Sequence, residues 1–176
     1  MKKVYFTTHA NQTKKLGKIV AKKVLKIKRK RKAQILGLEG NLGGGKTTFL
    51  QGFAKGLGIK KMITSPTFVI MRRFAIPKSK YPISNIQYLI HIDCYRLKKS
   101  KEILDLGFKE IISNPQNIAA VEWADRIRKI MPKNTIWITF QFINRAQPIY
   151  GLSEGEDENK VLIAYKNRRK IRIKFK

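Results

Sequence analysis

The sequence predicts an α/β fold in which a glycine-rich loop joins a strand to a helix. Residues 40–47 read Gly-Asn-Leu-Gly-Gly-Gly-Lys-Thr, which matches the phosphate-binding pattern G-x-x-x-x-G-K-[ST]. A short apolar run at 34–38 precedes this octet, and 47–57 follows it with apolar residues at helical spacing. Two later runs, 68–74 and 86–93, are joined by a loop without a helix. They predict an antiparallel strand pair inserted into the α/β pattern.

The first helix is predicted over residues 12–28, after a lead-in at 7–10. Its apolar residues repeat every three or four positions, which places them on one face of a helix. They are Leu16, Ile19, Val20, Val24 and Ile27. The opposite face is rich in lysine and is followed by a basic turn at 29–32, and we interpret that face as a solvated surface.

Prolines mark the segments after the second helix. Pro66 restricts its own backbone and pushes Ser65 towards an extended conformation. The candidate strand 68–74 follows. The stretch 75–85 contains two prolines and predicts a connecting loop before a longer strand at 86–93.

The second half of the chain continues the alternation of helices and strands. The predictions are short helices at 100–106 and 108–112, a buried strand at 118–122, a helix at 124–130 and a strand at 134–143. Residues 145–159 are polar and predict a mobile loop, and 161–165 with 171–175 predict a terminal hairpin. Without an internal repeat, the chain is predicted to form a single domain over 1–176, with a basic C-terminal tail from about residue 145.

Length and composition indicate one cytoplasmic domain. The 176 residues suffice for one core, and no apolar run is long enough to span a membrane. The apolar residues after Met1 give way at once to polar ones, so we expect no signal peptide. The single cysteine, Cys94, fits a reducing compartment, and we expect it to be a buried small side chain beside Asp93. We also expect a monomer when the protein is alone.

The formal charge of +28 has two interpretations. Lysine and arginine neutralise phosphates, so the charge favours an anionic partner such as RNA. A coding bias towards lysine, isoleucine and asparagine would produce the same charge, because basic residues are scattered over predicted helices, loops and tail alike. The charge therefore supports an anionic partner without identifying it.

The octet at 40–47 predicts a bound nucleotide and a metal ion. Glycines remove side chains, so that successive backbone N–H groups converge on phosphate oxygens. Lys46 has the length to reach the β- and γ-phosphates, and the Thr47 hydroxyl is suited to ligate Mg²⁺. These residue types together indicate ATP or a related nucleotide.

Two predicted strands end in a carboxylate. Asp93 ends the strand 86–93, and Glu122 ends the strand 118–122, so either carboxylate has the place to hold Mg²⁺ or orient water. Thr67 supplies a candidate hydroxyl for Mg²⁺ or the γ-phosphate. His91 shares a strand face with Asp93, and both a functional and a structural role remain open for it. Trp123 is predicted to point to the opposite face and to pack in the core.

These residues resemble a known family. The motifs occur in one order along residues 12–144, and their combination is far more specific than the glycine-rich loop alone. They are Leu42-Gly43-Gly44-Gly45-Lys46-Thr47-Thr48-Phe49, Ser65-Pro66-Thr67-Phe68, His91-Ile92-Asp93-Cys94-Tyr95-Arg96-Leu97, Leu106-Gly107 and Glu122-Trp123. Together they resemble the bacterial TsaE (YjeE) family, the ATPase of threonylcarbamoyladenosine biosynthesis on tRNA.

The resemblance implies a fold, an activity and partners. The fold is an α/β, P-loop NTPase-like three-layer fold with a small mixed sheet and an antiparallel strand insertion. The activity is ATP hydrolysis with Mg²⁺, ATP and ADP being the nucleotides. The partners are the TsaD–TsaB pair, which attaches the threonylcarbamoyl group to adenosine 37 of tRNAs reading ANN codons. Contact with tRNA is expected either indirectly or through the basic surface.

Positions also carry over from the family. The phosphate loop corresponds to Gly43, Gly44, Gly45, Lys46, Thr47 and Thr48. Thr47 and Glu122 correspond to metal-site residues, and Asp93 to a Walker-B-like acid that completes the metal and water site. Thr13 corresponds to a region that approaches the adenine. The family usually has alanine where this chain has Gly44, and the residues after Ile143 match no pattern of the family.

Two rival functions remain at this point. A P-loop kinase would need a substrate pocket and a mobile lid, and the short chain lacks an arginine run typical of a lid. An RNA-binding assembly factor would hold its nucleotide only as a structural element. Neither a Ser-His-Asp pattern nor a Cys/His cluster suited to zinc is present in the sequence.

Overall fold

The computed structural model describes residues 2–27, 31–78, 85–143 and 168–175. The strands are β1 (Lys2–Thr7), β2 (Gln34–Gly40), β3 (Met71–Ala75), β4 (Tyr88–Asp93), β5 (Asn117–Glu122), β6 (Ile136–Ile143) and β7 (Arg168–Lys174). The helices are α1 (Ala10–Leu25), α2 (Lys46–Gly56), α3 (Ser100–Asp105) and α4 (Phe108–Ser113), with a 3₁₀ helix at Ala124–Ile130. The predicted loop at 145–159 and the predicted strand at 161–165 lie outside the described residues.

The described strands form one mixed sheet in the order β1-β7-β6-β2-β5-β4-β3. Its centre is parallel, since β2 pairs in parallel with β5 and β6, and β5 with β4. The antiparallel insertion predicted from the two loop-joined strands is confirmed, because β3 pairs antiparallel with β4. Because parallel strands end at the same sheet edge, the carboxyl ends of β2, β4 and β5 lie together.

Helices cover the parallel centre on both faces, so the predicted three-layer architecture is confirmed. On one face, α1 and α2 bury Leu16, Phe49 and Phe53 against Leu38 of β2 and the strands beside it. On the other face, α3, α4 and the 3₁₀ helix bury a second cluster against β4 and β5. Strand β5 is buried at every position, as expected of a parallel strand between two layers.

Helices α1 and α2 pack with their backbones in close approach. A Cβ atom at Gly52 would lie 1.9 Å from the Lys14 carbonyl oxygen, and one at Gly17 would lie 2.2 Å from the Phe49 carbonyl oxygen. Real Cβ atoms never approach a backbone oxygen so closely, so only glycine fits these two positions. The close packing fixes α2, and therefore the glycine-rich loop at its start, against the N-terminal helix.

Several sequence predictions differ from the structure. The helix predicted at 124–130 is present with those bounds and has 3₁₀ geometry, with Ile127 outside helical geometry at φ −117°. The strand predicted from residue 68 begins at Met71, because Ile70 has φ 60°, a left-handed conformation that a strand cannot continue through. Strand β1 was not predicted at all.

The predicted terminal hairpin, in which 171–175 would pair with 161–165, is also wrong. Residues 171–175 do contribute to a strand, β7, but β7 pairs antiparallel with β1 on one edge and with β6 on the other. Both edges of β7 are therefore occupied, one by β1 from the start of the chain and the other by β6. Within the described ranges, no helix combines the length and the apolar character needed to cross a bilayer.

Cys94 is fully buried, as predicted, and its thiol is expected to be unreactive in the folded protein. Burial raises the pKa of the thiol to about 12, with Asp93 and Asp125 adding to the effect. Since the thiolate is the nucleophile, alkylation at about pH 8 should be slower than in the unfolded chain by on the order of a thousand-fold. Iodoacetamide labelling followed by mass spectrometry, in buffer and in concentrated urea, measures this difference. Equal rates would show that Cys94 is accessible.

Candidate P-loop site

The glycine-rich loop runs from the end of β2 to the start of α2, as the sequence predicted. Gly40, Gly43 and Gly45 have φ values of 131°, 71° and 98°, in the region that favours glycine. The helix begins at Lys46, so the amides of its first turn have no acceptor within the helix. That first turn carries no acidic side chain. The helix dipole and the free N–H groups together make this end of α2 suited to an anion.

Lys46 lies inside the site with its ammonium turned to the loop. Its Nζ donates to the carbonyl oxygens of Gly40 at 2.7 Å and Asn41 at 2.9 Å. The same ammonium lies 3.9 Å from the centre of the Trp123 ring, a cation–π contact. Burial lowers the pKa of Lys46, and the carboxylates of Glu122, Asp93 and Asp125 oppose that shift. The lysine is thus a buried cation facing three nearby carboxylates.

Thr47 and Glu122 meet at the mouth of the loop. The Thr47 Oγ1 lies 2.9 Å from each carboxylate oxygen of Glu122 and donates to the carboxylate. Glu122 is only 2% exposed and also accepts from Nε2 of His91 at 2.8 Å. The Nδ1 atom of His91 is buried and has no hydrogen-bond partner within the described parts of the chain. His91, whose role the sequence left open, therefore orients the Glu122 carboxylate towards Thr47.

Asp93 binds the segment that contains Ser65 and Thr67. Its Oδ2 accepts from the Ser65 hydroxyl and, at 2.7 Å, from the Thr67 hydroxyl. Its Oδ1 accepts from the backbone N–H of Tyr95 at 2.9 Å. Asp93 is 3% exposed, and its register partner on β5 is Glu122. The two strand-end carboxylates thus stand side by side, one bound to the P-loop threonine and the other to the Ser65–Thr67 segment.

A cavity of about 390 Å³ collects these groups. Its lining includes every predicted site residue from Gly43 to Thr48, together with Thr67, Asp93 and Glu122. Thr13 is not part of the lining: it is buried, 1% exposed, beside Gly45, and its Oγ1 lies 2.9 Å from that of Thr7. The nucleotide contact predicted for Thr13 stays a prediction, as do the chemical roles of the residues in the cavity.

Aromatic residues form one wall of the cavity. Trp123 packs against the second core cluster, as predicted, but the prediction that it points away from the site is wrong, because it also lines the cavity and contacts the Lys46 ammonium. Its φ of 57° is left-handed, so the alternation of β5 does not continue past Glu122. Tyr95 lies 5.0 Å from Trp123 between ring centres. Sequence reasoning also missed Ser65 as a partner of Asp93, although its place beside Thr67 was a signal for it.

The arrangement fits a metal ion shared with a phosphate ligand. No group of three or more His, Cys, Asp or Glu side chains poised for a metal occurs among the described residues, so they offer no all-protein cage. Mg²⁺ commonly takes one or two protein oxygens and completes its shell with water and phosphate. The oxygens of Thr47 and Glu122, adjacent at the loop, match that requirement, and a nucleotide would supply the rest.

The fold and this site define an α/β protein of the P-loop class, with a helix N-terminus, a lysine, a threonine and two strand-end carboxylates around one cavity. The family model described as "Threonylcarbamoyl adenosine biosynthesis protein TsaE" matches residues 7–147. The chain belongs to the TsaE family.

Curated relatives carry the same family name. The chain is 34% identical over 155 residues to the tRNA threonylcarbamoyladenosine biosynthesis protein TsaE of Bacillus subtilis, covering 88% of this chain and 80% of the relative. It is 26% identical to the protein of that name from Haemophilus influenzae, covering 87% of this chain and 90% of the relative. The crystal structure of Bacillus subtilis YdiB superimposes with a TM-score of 0.64 at 25% identity, covering 98% of this chain and 84% of that one.

Proposed function

We propose that this protein is a Mg²⁺-dependent ATP hydrolase that serves the formation of threonylcarbamoyladenosine on tRNA. The observation that carries the proposal is the contact between the Thr47 hydroxyl and the Glu122 carboxylate, 2.9 Å apart at the mouth of the glycine-rich loop. A hydroxyl and a carboxylate at these two places are the protein oxygens that Mg²⁺ takes in P-loop hydrolases. The family and the names of the relatives supply the pathway.

Each side chain then has a task towards ATP. The loop amides and Lys46 bind the triphosphate, and the ammonium would exchange its carbonyl acceptors for phosphate oxygens. Thr47 and Glu122 would hold Mg²⁺, which neutralises charge that builds up on the phosphates. His91 fixes the Glu122 carboxylate through Nε2, as outer-shell partners of metal ligands do.

Asp93 links the nucleotide site to the Ser65–Thr67 segment, which would move when the nucleotide changes. It holds the Ser65 and Thr67 hydroxyls, and Thr67 lines the cavity. A γ-phosphate or metal in the cavity would compete with Asp93 for the Thr67 hydroxyl, so the position of the Ser65–Thr67 segment would depend on the nucleotide. In this proposal, hydrolysis resets a tRNA-modifying complex that contains the TsaD–TsaB pair and does not transfer phosphate to a product.

The test is a reconstitution of ATP turnover and tRNA modification. Phosphate release is measured for this protein alone and with TsaD–TsaB and tRNA, and mass spectrometry measures threonylcarbamoyladenosine in the tRNA. We expect Glu122→Gln to lower phosphate release by about a hundred-fold or more, since even outer-shell changes cost about 10- to 100-fold. Turnover of the unaltered protein should require Mg²⁺.

The matched control is Glu39→Gln. Glu39 is also a carboxylate near the end of a central strand, but it is bonded to Arg128 and Thr139 and does not line the cavity. This variant should retain turnover within about two-fold. Absence of phosphate release even in the complete mixture would overturn the proposal. A phosphorylated small-molecule product would favour a kinase, and tRNA binding without any hydrolysis would favour an assembly factor.

A further inference from the structure

The outer strands of the sheet carry a row of cations on one face. In β7, Ile171 and Ile173 are fully buried against the core that contains α1 and α2. Side chains alternate along a strand, so the even-numbered residues point to the other face. Those residues are Arg168, Lys170, Arg172 and Lys174. A rise of about 3.3 Å per residue spreads these four cations over about 20 Å.

The neighbouring strands extend this surface. Phe6 of β1 is 48% exposed, and the Arg168 guanidinium lies 4.2 Å from the centre of its ring. Lys170 stands between Phe6 on β1 and Gln141 on β6, and Arg172 donates to Gln141 at 3.1 Å. Lys2 pairs with Lys174 at the end of the row. We call the set Lys2, Phe6, Arg168, Lys170, Arg172 and Lys174 the basic sheet face.

The described helices leave the basic sheet face uncovered. The second cluster, formed by α3, α4 and the 3₁₀ helix, packs on β4 and β5 and reaches no further than Trp137 of β6. Within the described residues, Lys170, Arg172 and Lys174 make no ion pair. Strands β1, β6 and β7 contain no acidic residue, and Glu39 of the adjoining strand β2 is already bonded to Arg128 and Thr139.

Protection of a sheet edge does not account for these cations. Lysines often lie on edge strands, where they prevent pairing with another chain, and β1 is such an edge. Strand β7 lies inside the sheet, between β1 and β6, so its side chains protect no edge. Like charges in register, such as Lys2 with Lys174, weaken a sheet. A row of cations that make no ion pair within the described residues, next to an exposed aromatic ring, is instead complementary to a polyanion that has flat bases.

We propose that the basic sheet face binds RNA, with the cations of β7 along the phosphate backbone and Phe6 against an unpaired base. Sheet faces that combine basic and aromatic side chains bind single-stranded RNA in this manner, the aromatic ring supplying a stacking platform. The inference rests on the proposed function for the kind of RNA, since the relatives are named for tRNA modification. It assigns tRNA contact to a surface that is not part of the cavity lining.

The test compares two triple variants with the same change in charge. Lys170→Gln, Arg172→Gln and Lys174→Gln remove three cations from the basic sheet face. The control removes three exposed lysines from α1, with Lys15→Gln, Lys18→Gln and Lys22→Gln. Binding of a fluorescent unmodified tRNA transcript to the full chain is titrated at several salt concentrations. Vesicles of phosphatidylcholine with phosphatidylglycerol serve as a second anionic probe.

We expect the sheet-face variant to bind tRNA about ten-fold or more weakly at about 50 mM salt, with a salt slope smaller by about two units. The α1 variant should change neither by much. Phe6→Leu, which keeps an apolar side chain without the ring, should weaken tRNA binding by about five-fold or more. Equal losses in both triple variants, or a loss of vesicle binding without a loss of tRNA binding, would overturn the proposal.

Two further measurements separate this inference from the proposed function. The sheet-face variant should hydrolyse ATP at the unaltered rate in the absence of tRNA, because its substitutions lie outside the cavity. Lys46→Ala should bind tRNA as the unaltered protein does. Normal tRNA binding by a protein that never hydrolyses ATP would refute the hydrolase and leave the RNA surface intact, and the opposite pattern would refute only the surface.

Discussion

Replacing Lys46 by alanine is expected to abolish ATP turnover, with a loss in kcat on the order of a thousand-fold. The Nζ atom donates to the carbonyl oxygens of Gly40 and Asn41, and Lys46 lines the cavity together with the glycines of the loop. A small shift of the side chain would bring the ammonium to the phosphates, and alanine has no group that replaces it. The substitution removes a positive charge from the place where negative charge accumulates on the phosphates during phosphoryl transfer.

The same variant should remain folded. Burial lowers the pKa of Lys46, which means that the folded state binds this proton less tightly than the unfolded state does. The charged lysine is therefore a cost to stability at neutral pH, and the cost declines as the pH rises towards the usual pKa of lysine. Lys46→Ala removes this cost together with the hydrogen bonds to Gly40 and Asn41 and the contact with Trp123. The gain and the loss oppose each other, so we expect the melting temperature at neutral pH to change by only about a few degrees.

Phosphate release and thermal melting, measured side by side, check this expectation. Lys55→Ala is the matched control, because Lys55 belongs to the same helix but is exposed and lies outside the cavity. Unimpaired hydrolysis by Lys46→Ala would contradict the proposed mechanism of ATP hydrolysis. If the melting temperature drops strongly, unfolding could explain the lost activity. Lys46→Met, which keeps the apolar stem of the side chain, would then be measured instead.

The parts of the site that were predictable from sequence are those whose signals are local. The glycine pattern at 40–47 needs a strand before it and a helix after it, and both signals stand within ten residues on either side. Asp93 and Glu122 follow apolar runs directly, so their place at strand ends could be inferred from chain position alone. Parallel pairing of β4 with β5 then brings the two carboxylates into register.

The parts that escaped prediction depend on distant contacts or on single backbone angles. Strand β1 is short and rich in lysine, and its partner β7 lies at the other end of the chain. No local sequence pattern predicts the pairing of β1 with β7. The direction of Trp123 follows from one left-handed residue, whereas the prediction extended the alternation of β5 by one position. The bond from Ser65 to Asp93 likewise joins residues 28 positions apart.

The second large effect is expected from Gly52→Ala, which should unfold the protein or destabilise it by about 3 kcal/mol or more. In an exposed helix, replacing glycine by alanine stabilises by about 1 kcal/mol, because alanine restricts the unfolded chain. At Gly52 the new Cβ would lie 1.9 Å from the Lys14 carbonyl oxygen. Helices α1 and α2 would have to separate, and the contact is with backbone, which cannot rotate away as a side chain does.

A graded series makes the prediction sharp. The distance from a new Cβ to its nearest atom increases from 1.9 Å at Gly52 to 2.2 Å at Gly17 and 2.7 Å at Gly56, where the atom is the Ala21 Cβ. The free energy of unfolding from urea titrations should be lowest for Gly52→Ala, intermediate for Gly17→Ala and highest for Gly56→Ala. Lys55→Ala, at an exposed position of the same helix, is the control and should change the free energy of unfolding by only about 0.5 kcal/mol or less. Because α2 carries Lys46 and Thr47 at its first turn, separation of the helices would displace the phosphate-binding end. A Gly52→Ala protein as stable as the original would show that the two helices are not in contact as described.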